Sequence, residues 1–275
     1  MLRATRCPRW AMVATATIFS AEALAAQAEP APPPTVLQVQ IESVRSGRGG
    51  MHAALEQDWA QTFRRSGVPV YWLGTTTVTG NDEAWYFTGM DGFGDLEAMD
   101  KAIDSSPGLG SASGRLAQAD EENVSGTRSF VARYRADLSK PGPTPVANGR
   151  YFSITMFRVR PGHEADFANA AKLYGTVVAD AKSSENWAVY QVVSGMPTPT
   201  FLVFTLMKSL SEMDPGADAA AMEKAMTADR QKRFGDLASS GIISTTNVVL
   251  RFAPRMSTMP KTFTDLDPSF WNVGN

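Results

Sequence analysis

The sequence is 275 residues long, 43% hydrophobic, and carries a formal net charge of −2. This length is enough for one large domain or two small ones with a sizeable core. The charge gives no support for a nucleic-acid partner, because nucleic-acid-binding proteins usually present a basic face. The single cysteine, Cys7, excludes an intrachain disulfide, and the two histidines, His52 and His163, restrict metal and acid–base chemistry.

Residues 1–28 have the features of a secretory signal peptide. Three arginines precede an uncharged apolar run from Trp10 to Ser20. Ala26-Gln27-Ala28 then supplies a cleavage pattern, with Ala23-Leu24-Ala25 as a competing one. The apolar run is shorter than the roughly 20 residues that a membrane span needs. We therefore expect an exported protein, periplasmic or secreted, that has no membrane span after signal cleavage.

A proline-rich linker, residues 29–35, precedes a first folded unit at 36–138. Apolar residues alternate with polar ones over residues 37–42, which predicts a strand with one apolar face. A helix follows, and its apolar stripe is predicted to comprise Met51, Leu55, Trp59 and Phe63. A hairpin over 70–90, a short helix near 96–100, a helix over 110–123 and a strand over 127–136 complete the unit.

A second unit, residues 150–259, repeats this order after a connector at 139–149. Its first strand, 151–160, lies about 115 residues after that of the first unit. A helix starting near His163, a hairpin over 187–206, a helix over 217–237 and a strand over 242–252 follow. The tail, 260–275, is predicted to be irregular, with its aromatic residues laid on the body of the protein.

Each unit therefore has the order β-α-β-β-α-β, which is the ferredoxin-like arrangement of an antiparallel sheet with helices on one face. The other face of each sheet must be covered as well. We predict an α+β fold in which two ferredoxin-like repeats pack sheet to sheet as an internal pseudo-dimer.

This element order, together with the segment Val159-Arg160-Pro161-Gly162-His163-Glu164-Ala165-Asp166-Phe167, resembles the dimeric α/β barrel superfamily, here fused in tandem. Its members include antibiotic-biosynthesis monooxygenases, NIPSNAP-like proteins, haem-degrading monooxygenases and chlorite dismutase. The resemblance covers residues 36–137 and 150–253. It implies an intramolecular dimeric α/β barrel and a ligand pocket between sheet and helices, and it leaves the activity open.

Metal and haem chemistry are not expected. His163 is interpreted as an exposed side chain at a helix start, and His52 lies four residues further along in its repeat, so the two do not form a paired site. No third ligand with zinc-like spacing is evident. The resemblance places a haem-ligating histidine on a helix after the hairpin, but segments 92–123 and 208–237 contain none. Tyr174 or Tyr190 remains the one alternative haem ligand.

Aromatic residues at positions facing other elements are usually core, yet apolar pockets with a few polar groups also bind small molecules. A possible small organic ligand is therefore predicted to contact Trp59, Tyr71, Trp85, Arg133, Tyr174, Trp187 and Tyr190. Two functions stay open: a ligand-binding or scaffold protein of the cell envelope, and a cofactor-independent monooxygenase-like enzyme. No cofactor is expected in either case.

Overall fold

The structure, a computed structural model, describes residues 32–272. The predicted signal peptide and the first three residues of the predicted linker lie outside these residues. Eight strands are present in the described part of the chain: β1 Val36–Val44, β2 Leu73–Thr77, β3 Glu83–Met90, β4 Val124–Tyr134, β5 Tyr151–Val159, β6 Ala188–Ser194, β7 Thr200–Met207 and β8 Ile242–Phe252.

The strands form one closed antiparallel barrel in the order β1-β3-β2-β8-β5-β7-β6-β4. Each half of the chain contributes four adjacent strands, and hydrogen bonds between β2 and β8 and between β4 and β6 join the halves. The predicted α+β class is confirmed. The two sheets, however, are joined edge to edge rather than stacked as separate layers, because closure pairs edge strands that would otherwise be open.

The barrel interior is a single hydrophobic core built by both halves. Alternate residues of β1 point into it, among them Val39 and Ile41, and Phe152 and Ile154 do the same on β5. Phe152 contacts Phe204 and Phe252 edge to face, at 5.5 and 4.8 Å between ring centroids. The faces that each half would leave uncovered are therefore buried against one another.

Helices cover the outside of the barrel. Helix α1 packs on α3, and α4 packs on α5 and α6. The helices are α1 Gly49–Ser66, α2 Gly94–Asp104, α3 Pro107–Asp120, α4 Glu164–Asp180, α5 Ala219–Ala225, α6 Ala228–Gly241, α7 Lys261–Thr264 and α8 Pro268–Trp271. No helix within residues 32–272 is long and apolar enough to cross a membrane.

The inward face of α1 differs from the predicted stripe. Met51 is 55% exposed, whereas His52, Glu56, Ala60 and Phe63 are the buried residues of this helix. The apolar stripe thus identified the helix correctly, but the buried face that it predicted is displaced by about one residue from the observed one. The reason is that polar side chains occupy two of the inward positions, where a hydrophobic pattern gives no signal.

Two other regions also differ from their predicted form. The helix predicted over 217–237 is divided into α5 and α6, and the side chain of Thr227 caps α6 by accepting a hydrogen bond from the Arg230 backbone N–H. The tail contains two short helices, and Trp271 is buried against the barrel core. Its indole N–H donates to the carbonyl of Ala147 at 2.7 Å.

Candidate functional site

Four ionisable side chains meet in a buried space on the outer face of the barrel, beneath α1 and α3. They are Glu42 on β1, His52 and Glu56 on α1, and Asp120 at the end of α3. Ligand-type atoms, one from each residue, all lie within 4.8 Å of one another. None of the four residues is more than 9% exposed. We call these four residues the polar cluster.

Local periodicity explains how the polar cluster forms. Side chains alternate along β1, so that Ile41 points into the barrel and Glu42 points outward to the helices. His52 and Glu56 are four residues apart on α1 and therefore share one helix face. Packing of α3 against α1 then brings Asp120, which is 68 residues from His52 in sequence, onto the imidazole ring.

His52 is the centre of this arrangement. Its Nδ1 lies 3.2 and 3.1 Å from the two carboxylate oxygens of Asp120. Its Nε2 lies 3.3 Å from the hydroxyl of Tyr86 and 3.5 Å from Glu42 Oε2. The two ring nitrogens therefore face different groups: Nδ1 faces one carboxylate, and Nε2 faces a shared space between Tyr86 and Glu42.

Amide side chains support the cluster from behind. Gln40 Nε2 donates to Glu42 Oε1 at 2.8 Å, and Asn123 Nδ2 donates to Asp120 Oδ1 at 3.1 Å. Two buried oxygens, Glu42 Oε2 and Asn123 Oδ1, have no hydrogen-bond partner among residues 32–272. Unpartnered buried acceptors are rare in native structures, since each loses its hydration without compensation.

Burial also disfavours the charged forms of the acidic side chains in and around the cluster. Burial, and next the charge of Glu42, raise the pKa of Glu56 to about 8. Burial also raises the pKa of Glu42, against the opposing effects of the Gln40 hydrogen bond and the His52 charge. The pKa of Tyr86 is raised well above its ordinary value by burial and by the nearby Glu56. In the described part of the chain, no lysine or arginine pairs with Glu42, Glu56 or Asp120 within 4.0 Å.

The barrel register identifies the corresponding positions in the second half. Val36 pairs with Met90, and Tyr151, which lies 115 residues after Val36, pairs with Met207 in the same way. The helices α1 and α4 also start 115 residues apart. On this register Glu42 corresponds to Phe157, His52 to Phe167, Glu56 to Ala171 and Tyr86 to Val203.

All four of these counterparts belong to one apolar cluster beneath α4. The rings of Phe157 and Phe167 lie 5.5 Å apart, and Phe167 stacks on Phe201 at 4.2 Å. The second half therefore holds its long helix on the barrel by ordinary hydrophobic packing. It follows that this architecture does not require a polar cluster at these positions.

A largely apolar groove of about 530 Å³ is lined in part by α1, the helix that carries His52 and Glu56, although none of the four cluster residues lines it. It lies between α1 and the 3-10 turn Pro254–Met256, and its lining includes Ala53, Ala54 and Phe270. Ala53 follows His52 directly, and it packs with Met256 and the ring of Tyr86 in one apolar group. Tyr86 therefore lies between the two features, because its ring packs on these groove-lining residues and its hydroxyl lies 3.3 Å from His52 Nε2.

A larger cleft of about 780 Å³ lies between α4 and α6 in the second half. Its lining includes the charged side chains of Lys172, Asp229, Arg230 and Arg233. Arg230 is already paired with Asp180 at 2.6 Å. We favour the smaller groove as a binding site, because it is more apolar and lies beside the buried polar cluster.

The structure places the seven predicted ligand-contacting residues in several different regions. Trp85 and Tyr190 lie in the barrel core, Trp59 lies in a separate apolar group near Phe63, and Tyr71 is 44% exposed. The remaining three are Arg133, whose guanidinium lies 5.3 Å from the Phe93 ring centroid, and the contacting pair Tyr174 and Trp187, 5.7 Å apart. A ligand at any of these places stays a prediction.

Several of these aromatic groups already use their polar atoms within the protein. Trp85, Trp187, Tyr174 and Tyr190 each donate a hydrogen bond, and the acceptors are Glu83, Leu138, Glu185 and Pro34 respectively. These bonds fit a packing role for the four side chains.

The second histidine, His163, is partly buried at the start of α4, where its Nδ1 lies 2.7 Å from Asp166 Oδ2.

The polar cluster itself was not predicted. The absence of a third ligand with zinc-like spacing had argued against a metal, but that reasoning considered local spacing alone. The four residues of the cluster span positions 42–120 and meet only after β1, α1 and α3 pack together. The available signal was the pair His52 and Glu56, two polar residues at i and i+4 beside the apolar stripe of a helix.

Comparison with known proteins identifies the fold. No family model matches the chain, and no curated protein is significantly similar to it. An anthrone oxidase-like protein overlaps 82% of this chain and 94% of its own, with TM-score 0.54 and 10% identity. A putative monooxygenase from Fusobacterium nucleatum overlaps 81% and 93%, with TM-score 0.51 and 12% identity.

A mutant chlorite dismutase from Candidatus Nitrospira defluvii overlaps 82% of this chain and 94% of its own, with a lower TM-score of 0.48 and 6% identity. At these identities the likeness shows fold alone. The α+β fold with an eight-stranded antiparallel barrel, shared with the anthrone oxidase-like and Fusobacterium nucleatum structures, is consistent with the predicted dimeric α/β barrel. The tandem fusion of two ferredoxin-like units and the NIPSNAP-like affinity stay predictions.

Proposed function

We propose that the protein binds a small, largely apolar organic molecule in the groove between α1 and the turn Pro254–Met256. The observation that carries the proposal is that Tyr86 packs its ring against the groove-lining residues Ala53 and Met256 and places its hydroxyl 3.3 Å from His52 Nε2 in the buried polar cluster. A mostly apolar cavity with a few convergent polar groups is the usual form of a small-molecule site. Binding of small molecules also fits a fold shared with monooxygenase-like proteins.

Equilibrium dialysis with two aromatic probes, anthrone and anilinonaphthalene sulfonate, tests this proposal. Ala54 is exposed and lines the groove, so Ala54→Trp fills the groove without entering the core. We expect saturable binding to the natural sequence and at least tenfold weaker binding to Ala54→Trp. The matched control is Thr176→Trp, which fills the cleft between α4 and α6. Loss of binding in the control but not in Ala54→Trp contradicts the proposal.

A monooxygenase-like enzyme is the second candidate, favoured by the buried acid–base groups behind Tyr86. The test reaction is oxidation of anthrone by O₂ to anthraquinone and water. The methylene carbon loses two hydrogens and gains one oxygen atom, and the second oxygen atom leaves as water. We expect O₂ uptake equal to the anthraquinone formed, above the rate without protein, and at least tenfold slower with Tyr86→Phe. Equal rates with and without protein exclude this reaction.

Export is proposed from the sequence of residues 1–28. The mature protein is expected to be recovered from the cell envelope or the medium, with an N-terminus near Glu29. Intact mass of the purified protein measures this directly. A membrane-bound protein that retains residues 1–28 contradicts the proposal of export.

A scaffold role without any ligand is the remaining alternative if both aromatic probes fail to bind.

A further inference from the structure

The centre of the polar cluster contains more hydrogen-bond acceptors than donors. If the Nδ1–H of His52 is directed at Asp120, then Nε2 presents a lone pair. Glu42 Oε2 and the carbonyl oxygen of the Glu56 carboxyl group add further acceptors, and the donors that face them are the Tyr86 hydroxyl and the proton that burial retains on Glu56. Glu42 Oε2 is left without a hydrogen-bond partner among the described residues.

A divalent cation at this position can displace the proton of Glu56 and accept lone pairs from His52 Nε2, Glu42 Oε2 and one Glu56 oxygen together. We infer that the polar cluster binds one divalent transition-metal ion, with His52 Nε2 and one oxygen each from Glu42 and Glu56 as its ligands. Tyr86 or a water molecule completes the coordination. This inference goes beyond the proposed groove and does not depend on a ligand in it.

One ligand–ligand distance fits the inference directly, and the ligand-type atoms of all four residues lie within 4.8 Å of one another. In a tetrahedral site with metal–ligand bonds of about 2.0–2.2 Å, two ligand atoms lie about 3.4 Å apart. His52 Nε2 and Glu42 Oε2 are 3.5 Å apart. This separation is too long for a good hydrogen bond but suits two atoms that share a metal ion.

Asp120 has the role of a positioning residue. Metal-binding histidines commonly donate their second ring N–H to a carboxylate, which fixes the ring orientation and makes the ligating nitrogen more basic. Asp120 occupies this position on Nδ1 and is itself held by Asn123. The Asp120 carboxylate at the end of α3 thus orients His52 on α1, and the ring directs Nε2 toward Glu42 on the outer face of the barrel.

The ligand types restrict the choice of metal. One imidazole and two carboxylates suit Zn²⁺, Mn²⁺ or Fe²⁺, whereas Cu⁺ prefers sulfur, and Mg²⁺ and Ca²⁺ prefer oxygen ligands alone. Zn²⁺ ranks above Mn²⁺ and Fe²⁺ in affinity for most such sites. Zn²⁺ is therefore the ion to test first, with Mn²⁺ as the second.

A purely structural role for the cluster explains less. Three carboxyl groups buried together are unfavourable unless they are paired, stay protonated or bind a metal, and the raised pKa of Glu56 shows that burial opposes its ionisation in the metal-free protein. At the corresponding positions of the second half, Phe157, Phe167 and Val203 pack the helix onto the barrel without any polar group. Apolar packing can therefore hold the helix on this barrel without the desolvation penalty of buried charges. A bound ligand gives the polar residues of the first half a role that packing alone does not.

The test uses the full mature protein after treatment with EDTA. Isothermal titration with Zn²⁺ and Mn²⁺, followed by metal analysis after gel filtration, measures affinity and stoichiometry. We expect one equivalent of Zn²⁺ per chain and no saturable binding of Mg²⁺. Glu42→Gln keeps the shape and the Gln40 contact but removes the charge, and it is expected to weaken Zn²⁺ binding at least 100-fold.

Three further variants separate the roles. Asp120→Asn is expected to weaken binding 10- to 100-fold, and to shift the visible spectrum of the Co²⁺-substituted protein, which a general loss of stability does not do. His52→Phe introduces the residue of the second half, so it keeps the fold and abolishes binding. The matched control, His163→Gln, removes the other histidine of the described chain and leaves Zn²⁺ affinity within twofold.

The outcomes are separable from those of the groove. Ala54→Trp is expected to lose the aromatic probes but to bind Zn²⁺ as before. The inference is overturned if the natural sequence binds no stoichiometric Zn²⁺ or Mn²⁺, if folded Glu42→Gln binds Zn²⁺ with unchanged affinity, or if His163→Gln weakens binding as much as His52→Phe.

Discussion

The two halves of the barrel hold their long helices by different chemistry. Beneath α1, the contact is made by buried ionisable groups around His52, with two acceptor oxygens left unpartnered. Beneath α4, the corresponding space is filled by aromatic and aliphatic side chains, and Phe167 stacks on Phe201 at 4.2 Å. Strand register and helix position are therefore the same in the two halves, but the space between helix and barrel is polar beneath α1 and apolar beneath α4.

This difference separates what the fold requires from what only the first half contains. Hydrophobic contacts beneath α4 stabilise the fold by removing apolar surface from water. Buried carboxylates beneath α1 lose hydration and gain only partial compensation from Gln40, Asn123 and His52. The second half therefore serves as an internal reference for what the fold needs, and the first half shows what has been added to it.

The largest expected effect is on the apolar side of the comparison. Phe167→Ala removes a buried ring from the cluster beneath α4 and leaves a cavity between Phe157 and Phe201. We expect the free energy of unfolding to fall by about 3–5 kcal/mol. Urea unfolding followed by circular dichroism measures this. A loss below about 1 kcal/mol means that the helix is not held by this cluster.

The second prediction concerns the pH dependence of the metal-free protein. The pKa of Glu56 is raised from 4.5 to about 8, so the folded state retains a proton that the unfolded state releases in this range. The contribution of Glu56 to stability is thus fully present below about pH 4.5 and is lost as the pH rises toward 8, by up to about 1.4 kcal/mol per pH unit. Between pH 5 and 7.5 the expected loss is about 3 kcal/mol.

Glu56→Gln is the control for this pH effect, because it keeps the side-chain shape and cannot ionise. The difference between the natural sequence and the variant isolates Glu56 from the other titrating groups. Urea midpoints measured from pH 5 to 7.5 should diverge, with the variant gaining stability relative to the natural sequence at higher pH. Parallel pH profiles for the two proteins contradict the prediction.

The smallest expected effect tests the orientation of α1. Met51 is 55% exposed, although the apolar pattern had placed it on the inward stripe. Met51→Ala is expected to change the free energy of unfolding by no more than about 0.5 kcal/mol, as is usual for an exposed helix position. Thermal melts are sufficient to measure it. A loss of 2 kcal/mol or more would show that Met51 is buried, as the apolar pattern predicts, and that His52 and Glu56 do not face the barrel.

Much of the fold was predictable because its signals are local. Alternation of Leu37, Val39 and Ile41 with polar residues marked a strand, and the recurrence 115 residues later marked its counterpart at Tyr151–Val159. The eight strands and both long helices follow from such patterns. Closure of the barrel through the β2–β8 and β4–β6 pairs was less evident, because pairing between distant strands leaves no periodic trace.

The sequence by itself determined the strand and helix order, the similarity of the two halves and the shared apolar core, since periodicity of apolar residues encodes which face is buried. Only the tertiary structure decided that Glu42, His52, Glu56 and Asp120 meet. Polar residues at inward positions do not register as a hydrophobic pattern, and the chain separation of 78 residues is closed by packing of α1 and α3 on β1. A site assembled from distant elements is therefore read from geometry, not from spacing.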